Sequence, residues 1–270
     1  FALVAIASTP SILGGGIDLS IGPVMVFVNI LIVMVLLPAG IDSPWLVVPI
    51  ALVAGTVIGA ANGVLVAVLR FPAMIATLCT MFVMIGVDLR LAPQPGGGST
   101  PWLEALSSRL GLFPVALLVI VVPFAVWGAL RRTAYVRNLL ASGGDPIAAY
   151  SAGVPVQAVR VLSYALGGLF AGIGGLMLTS LLRSADATQA TTMILVGLAA
   201  VALGGTVFTG GRGGLLGSLL GAVCIFLIQS LMTALQVSAV WINVIYGALL
   251  VGSIMLSALV IVRKNVRNAV

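Results

Sequence analysis

Long apolar runs, separated by short polar interruptions, make up most of the chain. A helix needs roughly 20 apolar residues to cross the hydrocarbon core of a bilayer, so each run is a candidate span. The pattern predicts an all-α polytopic membrane helix bundle of eight passes in a single transmembrane domain over 1–270. The first pass, 1–37, is interrupted and is expected to form a broken or re-entrant helix. The remaining candidates are 46–69, 72–92, 111–130, 157–181, 189–208, 213–235 and 240–262.

Composition supports this fold class and narrows the chemistry. Hydrophobic residues make up 61% of the chain and charged residues only 7%, against about 25% charged residues in an ordinary soluble domain. A soluble enzyme and a disordered chain are therefore excluded. The chain has no histidine, so the commonest metal ligand and proton shuttle is absent, and we predict no catalytic residues, metal or cofactor. Cys79 and Cys224 lie in apolar runs and are predicted to be small buried hydrophobic residues.

The net charge of +6 is distributed as membrane topology requires rather than as a nucleic-acid surface. With alternating spans, nine of the twelve Lys and Arg residues share one side with 131–156, which the positive-inside rule makes cytoplasmic. The C-terminus is then cytoplasmic as well. The nine are Arg70, Arg131, Arg132, Arg137, Arg160, Arg212, Arg263, Lys264 and Arg267, and the opposite side holds Arg90, Arg109, Arg183, Asp42, Asp88, Glu104 and Asp186.

The beginning of the chain lacks the features of a signal peptide. Phe1 opens directly inside an apolar run, with no basic segment before it and no small-residue cleavage site after it. We expect that the true N-terminus and at least one further spanning helix precede this residue.

Glycines recur every four positions in several of the runs. Such stripes let helix backbones approach closely in lipid, which predicts tight packing inside one bundle, with a dimer contact as the alternative. The stripes are Gly55, Gly59 and Gly63, then Gly168 and Gly172, then Gly213, Gly217 and Gly221.

The interruption at 14–22 holds Asp18, an acidic residue well inside an apolar segment. Either Asp18 or Ser20 caps the helix that follows, or the break lines a transport pathway, and the two roles are compatible. Other polar residues inside the runs are candidates for the same pathway, each with an interhelical hydrogen bond as the alternative role. The candidate substrate-pathway residues are Asp18, Ser20, Asn29, Asn62, Thr77, Thr80, Gln229 and Asn243.

The connection 131–157 contains a short predicted helix at about 145–153. Asp145 is suited to cap it with Pro146 at its first position, and Gly153 and Pro155 end it. A short helix at the membrane surface is suited to docking a soluble partner.

The segment 204–214 is rich in glycine but does not predict a nucleotide site. The spacing of Gly205 and Gly210 resembles that of a phosphate-binding loop. However, Gly211 and Arg212 stand where Lys and Ser or Thr are required, and no strand precedes them. A tight turn between two helices is the better interpretation.

Together, the segments 15–22, 145–153 and 203–213 resemble the permease subunits of ABC importers for ribose, xylose, galactose-type sugars and the furanosyl autoinducer. The run 72–78 is also similar to that family, and the resemblance covers nearly the whole chain. Asp145 stands where the family usually has Asn. Related permeases for branched-chain amino acids and nucleosides share the later segments.

The resemblance implies a transmembrane permease that moves a monosaccharide or similar small polar solute across the bacterial inner membrane by alternating access. ATP would be hydrolysed by a separate cytoplasmic ABC ATPase subunit, so the chain itself would not be an enzyme. A second permease subunit, identical or paralogous, and a periplasmic or extracellular solute-binding protein would complete the complex, with no nucleic acid. The alternatives are an ion-coupled secondary transporter and a permease for branched-chain amino acids or nucleosides. The residues implied in ATPase coupling are Asp145, Pro146, Ala148, Ala149 and Gly153.

Overall fold

The computed structural model describes residues 1–238, 241, 244–252 and 255, and this part of the chain is mostly helical. Its short strands form two antiparallel pairs, β1 (Gly96–Gly97) with β4 (Ser184–Ala185) and β2 (Arg109–Leu110) with β3 (Phe113–Pro114). Two π-helical segments, Leu31–Leu36 and Val64–Val68, extend α2 and α3. The α-helices are α1 (Ala2–Leu13), α2 (Ile21–Ile30), α3 (Pro44–Gly63), α4 (Ala73–Leu91), α5 (Pro101–Leu106), α6 (Val115–Arg131), α7 (Tyr135–Gly144), α8 (Pro146–Ser151), α9 (Val156–Leu182), α10 (Gln189–Leu203) and α11 (Leu215–Ala234).

Within the described residues, four helices are long and apolar enough to cross a membrane: Pro44–Val68, Ala73–Leu91, Val156–Leu182 and Leu215–Ala234. The pair α6 and α7, bent by 87°, gives a fifth candidate if it is one broken span. The all-α membrane class and the interrupted first helix are therefore confirmed. The count of eight passes stays a prediction, because it depends on shorter apolar helices and on 240–262, much of which lies outside the described residues.

Helix α9 is the centre of the bundle. Most of its apolar window is buried, whereas α3, α4 and α11 leave most of theirs exposed, as expected of helices that face lipid. Helices α1, α2 and α3 all pack on α9. The breaks that connect these helices are therefore held against a buried central helix.

The glycine stripes form close helix contacts. A Cβ atom on Gly55 would overlap the carbonyl of Gly168, and a Cβ on Gly168 would overlap the carbonyl of Gly55, so α3 and α9 touch backbone to backbone. Gly221 lies in the same way against the carbonyl of Ala200 and joins α11 to α10. The predicted packing inside one bundle is confirmed for these positions.

Two expectations about individual side chains are wrong. Cys79 and Cys224 are exposed, because they lie on the outward faces of α4 and α11. Asp88 lies in the last turn of α4, and its side chain is fully buried. Neither of its carboxylate oxygens has a hydrogen-bond partner among the described residues. Hydropathy averaged over a window does not show on which face of a helix a residue lies.

The bundle has two chemically different ends. One holds the break after α1, helix α8 and the turn after α10, together with Arg70, Arg131, Arg160 and Arg212. The other holds β1, β4, α5 and the β2–β3 hairpin, with an ion pair of 3.4 Å between Arg183 and Glu104. There the hydroxyl and backbone N–H of Thr188 donate to Asp186 and lower the pKa of its carboxyl. This grouping of arginines is the one that the positive-inside prediction requires.

Candidate functional site

The break between α1 and α2 is a buried, non-helical segment. Consecutive glycines weaken the helix after Leu13, and Gly15 adopts a φ of +80°, which a glycine accepts without strain. The chain becomes helical again at Ile21. Asp18 is only 3% exposed, so this irregular backbone is covered by neighbouring protein.

A line of hydrogen bonds connects the break to two neighbouring helices. The Oδ1 atom of Asp18 accepts bonds from the backbone N–H of Ser20 at 2.9 Å and from its hydroxyl at 2.7 Å. The same Ser20 hydroxyl accepts from the amide of Asn62 at 2.8 Å, and Asn62 accepts from Thr80 at 2.5 Å. We call Asp18, Ser20, Asn62 and Thr80 the polar network. All four are pathway candidates from the sequence.

Thr77 fastens α4 to the same break. Its hydroxyl lies 3.1 Å from the carbonyl oxygen of Ile17 and 2.9 Å from that of Ala73, one turn earlier in α4. Five of the eight candidate pathway residues therefore meet at the break, although they come from three separate runs of the sequence.

The other three candidates are not part of this site. Asn29 is buried and donates to the hydroxyl of Thr179 at 2.9 Å and to the carbonyl of Ser184 at 3.1 Å, near the opposite end of the bundle. Gln229 is half-buried on α11, in a surface cleft beside Phe1. Asn243 lies outside the described residues.

The expected capping of α2 by a side chain is wrong in its detail. Neither Asp18 nor Ser20 accepts a bond from the first turn of α2. Ser20 is already in a helical conformation, so the carboxylate of Asp18 binds the N–H of Ser20 itself, one residue before the helix begins. The Ser20 hydroxyl is committed to the polar network instead.

Two buried polar atoms at the site have no hydrogen-bond partner among the described residues. One is Oδ2 of Asp18, within the polar network, and the other is the hydroxyl oxygen of Tyr164, beside it. The Tyr164 hydroxyl lies directly against Gly16, and Tyr164 is close enough to Asp18 to interact with it electrostatically. Unpartnered buried polar atoms are costly, so these two are the unsatisfied groups of the site. Sequence reasoning missed Tyr164 because an aromatic residue inside an apolar run carries no polar signal.

Helix α8 confirms the short helix predicted at 145–153. Asp145 Oδ1 accepts from the backbone N–H groups of Ile147 at 2.9 Å and Ala148 at 3.0 Å, with Pro146 at the first helical position. Gly153, at a φ of +83°, ends it with a bond from its N–H to the carbonyl of Tyr150. The carboxylate of Asp145 therefore provides the capping acceptor.

The exposed surface of α8 differs from the expected docking set. Ala148 is exposed, but Ala149 is 6% exposed and packs inward, so it is not available to a partner. Ile147 is 79% exposed and Tyr150 is 75% exposed, although neither residue was predicted from the sequence. Their i, i+3 spacing was a usable signal, because it places both on one helix face.

A cleft of about 620 Å³ lies between α8 and the segment 66–73, and Gly15 of the break lies on its wall. Arg70 and Arg160 give this cleft a basic lining. Helix α7, which leads to α8, was also missed by sequence analysis, although Val136 and Leu139 supply an apolar face at helical spacing. No group of three or more Cys, Asp or Glu residues in the described part of the chain is placed to hold a metal ion.

Over residues 1–254 the chain matches the protein family described as the permease component of branched-chain amino acid transport systems. It is similar to the ribose import permease protein RbsC of Bacillus subtilis strain 168, at 34% identity over 259 residues, covering 94% of this chain and 80% of the relative. The RbsC protein of Haemophilus influenzae is 32% identical over 251 residues, covering 88% and 75%. The autoinducer 2 import system permease protein LsrC of Escherichia coli O9:H4 is 33% identical over 258 residues, covering 92% and 73%. No solved structure matches the chain.

Proposed function

Because the chain belongs to the family of permease components of branched-chain amino acid transport systems, and is thus a multi-pass permease of the ABC importer class, we propose that it imports a neutral, polyhydroxylated small solute. Permeases of this class carry no ATPase site of their own. Energy is supplied by a separate ABC ATPase subunit. The solute crosses by alternating access in a complex with a second permease and a solute-binding protein.

The polar network supports a neutral solute with several hydroxyl groups. It offers an amide, two hydroxyls and one carboxylate in an otherwise apolar surrounding, and such groups select cargo by hydrogen bonding in a path of low charge. The names of two relatives refer to ribose and to autoinducer 2. Asp18, Ser20, Asn62, Thr77 and Thr80 form the gate of this path, and Tyr164 completes it.

The end of the bundle that carries α8 faces the cytoplasm of a bacterial cell. The grouping of Arg70, Arg131, Arg160 and Arg212 at this end supports that orientation. With the shorter apolar helices and 240–262 as further passes, the chain crosses the inner membrane eight times.

The observation that supports transport driven by a separate ATPase is the exposed face of α8. Ile147 and Tyr150 stand out from the surface beside a basic cleft, and an exposed aromatic residue next to an aliphatic one is typical of the centre of a protein interface. This face is the docking surface for the ATPase. Asp145 and Pro146 fix the start of the helix, Ala148 borders the face, and Gly153 ends the helix.

Co-purification of the tagged chain in mild detergent tests the proposal. We expect an ABC ATPase subunit to accompany the wild-type chain and to be lost when Ile147→Ala and Tyr150→Ala are combined. Leu112→Ala is the matched control, since Leu112 is 95% exposed at the turn of the β2–β3 hairpin, at the opposite end. Absence of an ATPase from the wild-type preparation, or its retention by the double variant, would contradict the proposed docking.

A further inference from the structure

The glycine segments at 14–16, 143–144 and 210–211 lie far apart in the sequence but meet at one place in the fold. We infer that Gly143 is a positioning residue that fixes the start of the docking helix to the break, so that α8 and the break move as one body. This inference rests on the proposed function, because it describes how movement of the docking helix reaches the polar network.

The first contact involves the last residue of α1. The N–H of Gly211 donates to the carbonyl oxygen of Leu13 at 3.0 Å, which satisfies one of the carbonyl groups left free at a helix C-terminus. The same carbonyl lies against Gly143, where an added Cβ atom would overlap it. Gly143 is two residues before Asp145, the cap of α8.

The second contact involves the turn after α10. At Gly210, with a φ of +90°, an added Cβ would lie 2.7 Å from the carbonyl oxygen of Gly143 and 2.7 Å from the Cα of Gly15. We call Leu13, Gly15, Gly143, Gly210 and Gly211 the glycine junction. Its members touch through backbone atoms, so no side-chain rotamer intervenes to absorb a displacement.

Helix α9 braces both sides of the junction. Nη2 of Arg160 lies 3.3 Å from the carbonyl oxygen of Ser142, immediately before Gly143. One turn later, the hydroxyl of Tyr164 lies against Gly16 of the break. Ser142, which precedes Gly143, and Gly16 of the break are therefore held by neighbouring side chains of the same helix.

This arrangement gives a short mechanical route from the ATPase to the pathway. A displacement of α8 moves Gly143, which presses on the carbonyl of Leu13 and on Gly15. The next few residues lead to Asp18 and Ser20, which bind Asn62 and Thr80 on two other helices. Movement of the docking helix thus changes the hydrogen bonds of the polar network.

Alanine substitution at two adjacent glycines tests the inference. Gly143→Ala places a Cβ against the carbonyl of Leu13, whereas at Gly144 the nearest atom to an added Cβ is 4.0 Å away. Gly143 and Gly144 are the last two residues of α7. The control Gly144→Ala therefore changes helix propensity about as much as Gly143→Ala does. In proteoliposomes with the whole complex, we expect Gly143→Ala to lower the radiolabelled ribose transported per ATP hydrolysed about ten-fold, because overpacking separates Gly143 from Leu13. ATP hydrolysis should be retained. Gly144→Ala should match the wild type.

Equal coupling in the two variants would overturn the inference. If Gly143→Ala fails to assemble, hydrogen exchange on the wild-type complex decides. The Gly211 amide should be equally protected without nucleotide and after vanadate trapping, and faster exchange after trapping would show that the junction opens. Absence of ATP-driven uptake by the wild-type complex, with ribose and with other neutral polyhydroxylated solutes, would contradict the proposed function instead, while the exchange measurement still decides on the junction.

Discussion

At the scale of single residues, the most informative side chain is that of Asp18. Its Oδ1 atom holds both the backbone and the hydroxyl of Ser20, while its Oδ2 atom is buried without a partner in the described structure. The sequence could identify Asp18 because an acid inside an apolar run is conspicuous. It could not identify Tyr164, whose role depends on the hydroxyl being placed against Gly16 by the packing of α9.

Replacement of Asp18 separates its structural role, which is to hold Ser20 through Oδ1, from its proposed role in the substrate pathway. Asp18→Asn keeps an Oδ1 acceptor for Ser20, whereas Asp18→Ala leaves the Ser20 N–H without one, which costs about 1–3 kcal/mol for a buried group. We expect Asp18→Ala to lower both thermal stability in detergent and ribose uptake, and Asp18→Asn to keep most of the stability while losing uptake. An Asp18→Ala protein as stable and active as the wild type would show that neither role is correct.

At the scale of helices, local rules predicted some features and tertiary contacts decided others. Glycine content predicted the break, and the cap and stop residues predicted α8. The four-residue spacing of glycines predicted tight packing inside one bundle, and the structure places such packing between α3 and α9. The inward direction of Ala149, the exposure of Cys79 and Cys224 and the burial of Asp88 depend on which face of a helix meets a neighbour. Hydropathy along the sequence does not contain that information in a bundle that is apolar on all sides.

Two glycines test the importance of helix approach. Gly168→Ala would force a Cβ atom into the carbonyl of Gly55. At Gly86, on α4, an added Cβ atom would meet open space. We expect Gly168→Ala to reduce the free energy of unfolding by about 1–3 kcal/mol, as overpacking does, and Gly86→Ala to leave it unchanged or slightly higher. Denaturation in detergent micelles measures both. Equal stability of the two variants would mean that α3 and α9 do not touch as described.

At the scale of the whole molecule, the distribution of arginines fixes the expected orientation. Cysteine labelling tests it in cells, in a background where Cys79 and Cys224 are replaced by serine. A membrane-impermeant maleimide should label Leu112→Cys, on the β2–β3 hairpin, in spheroplasts. Ser151→Cys, exposed on α8, should react only after permeabilisation. The reverse pattern would place the docking helix outside the cell and contradict the proposed ATPase contact.

The most direct measurement is solute uptake by the purified complex. Proteoliposomes that contain the co-purified permease and ATPase, with a solute-binding protein supplied on the outside, are loaded with ATP or with a non-hydrolysable analogue. The account predicts radiolabelled ribose uptake that requires ATP hydrolysis, exceeds leucine uptake and is unaffected when proton and sodium gradients are collapsed. Uptake that continues without ATP and follows an ion gradient would contradict it.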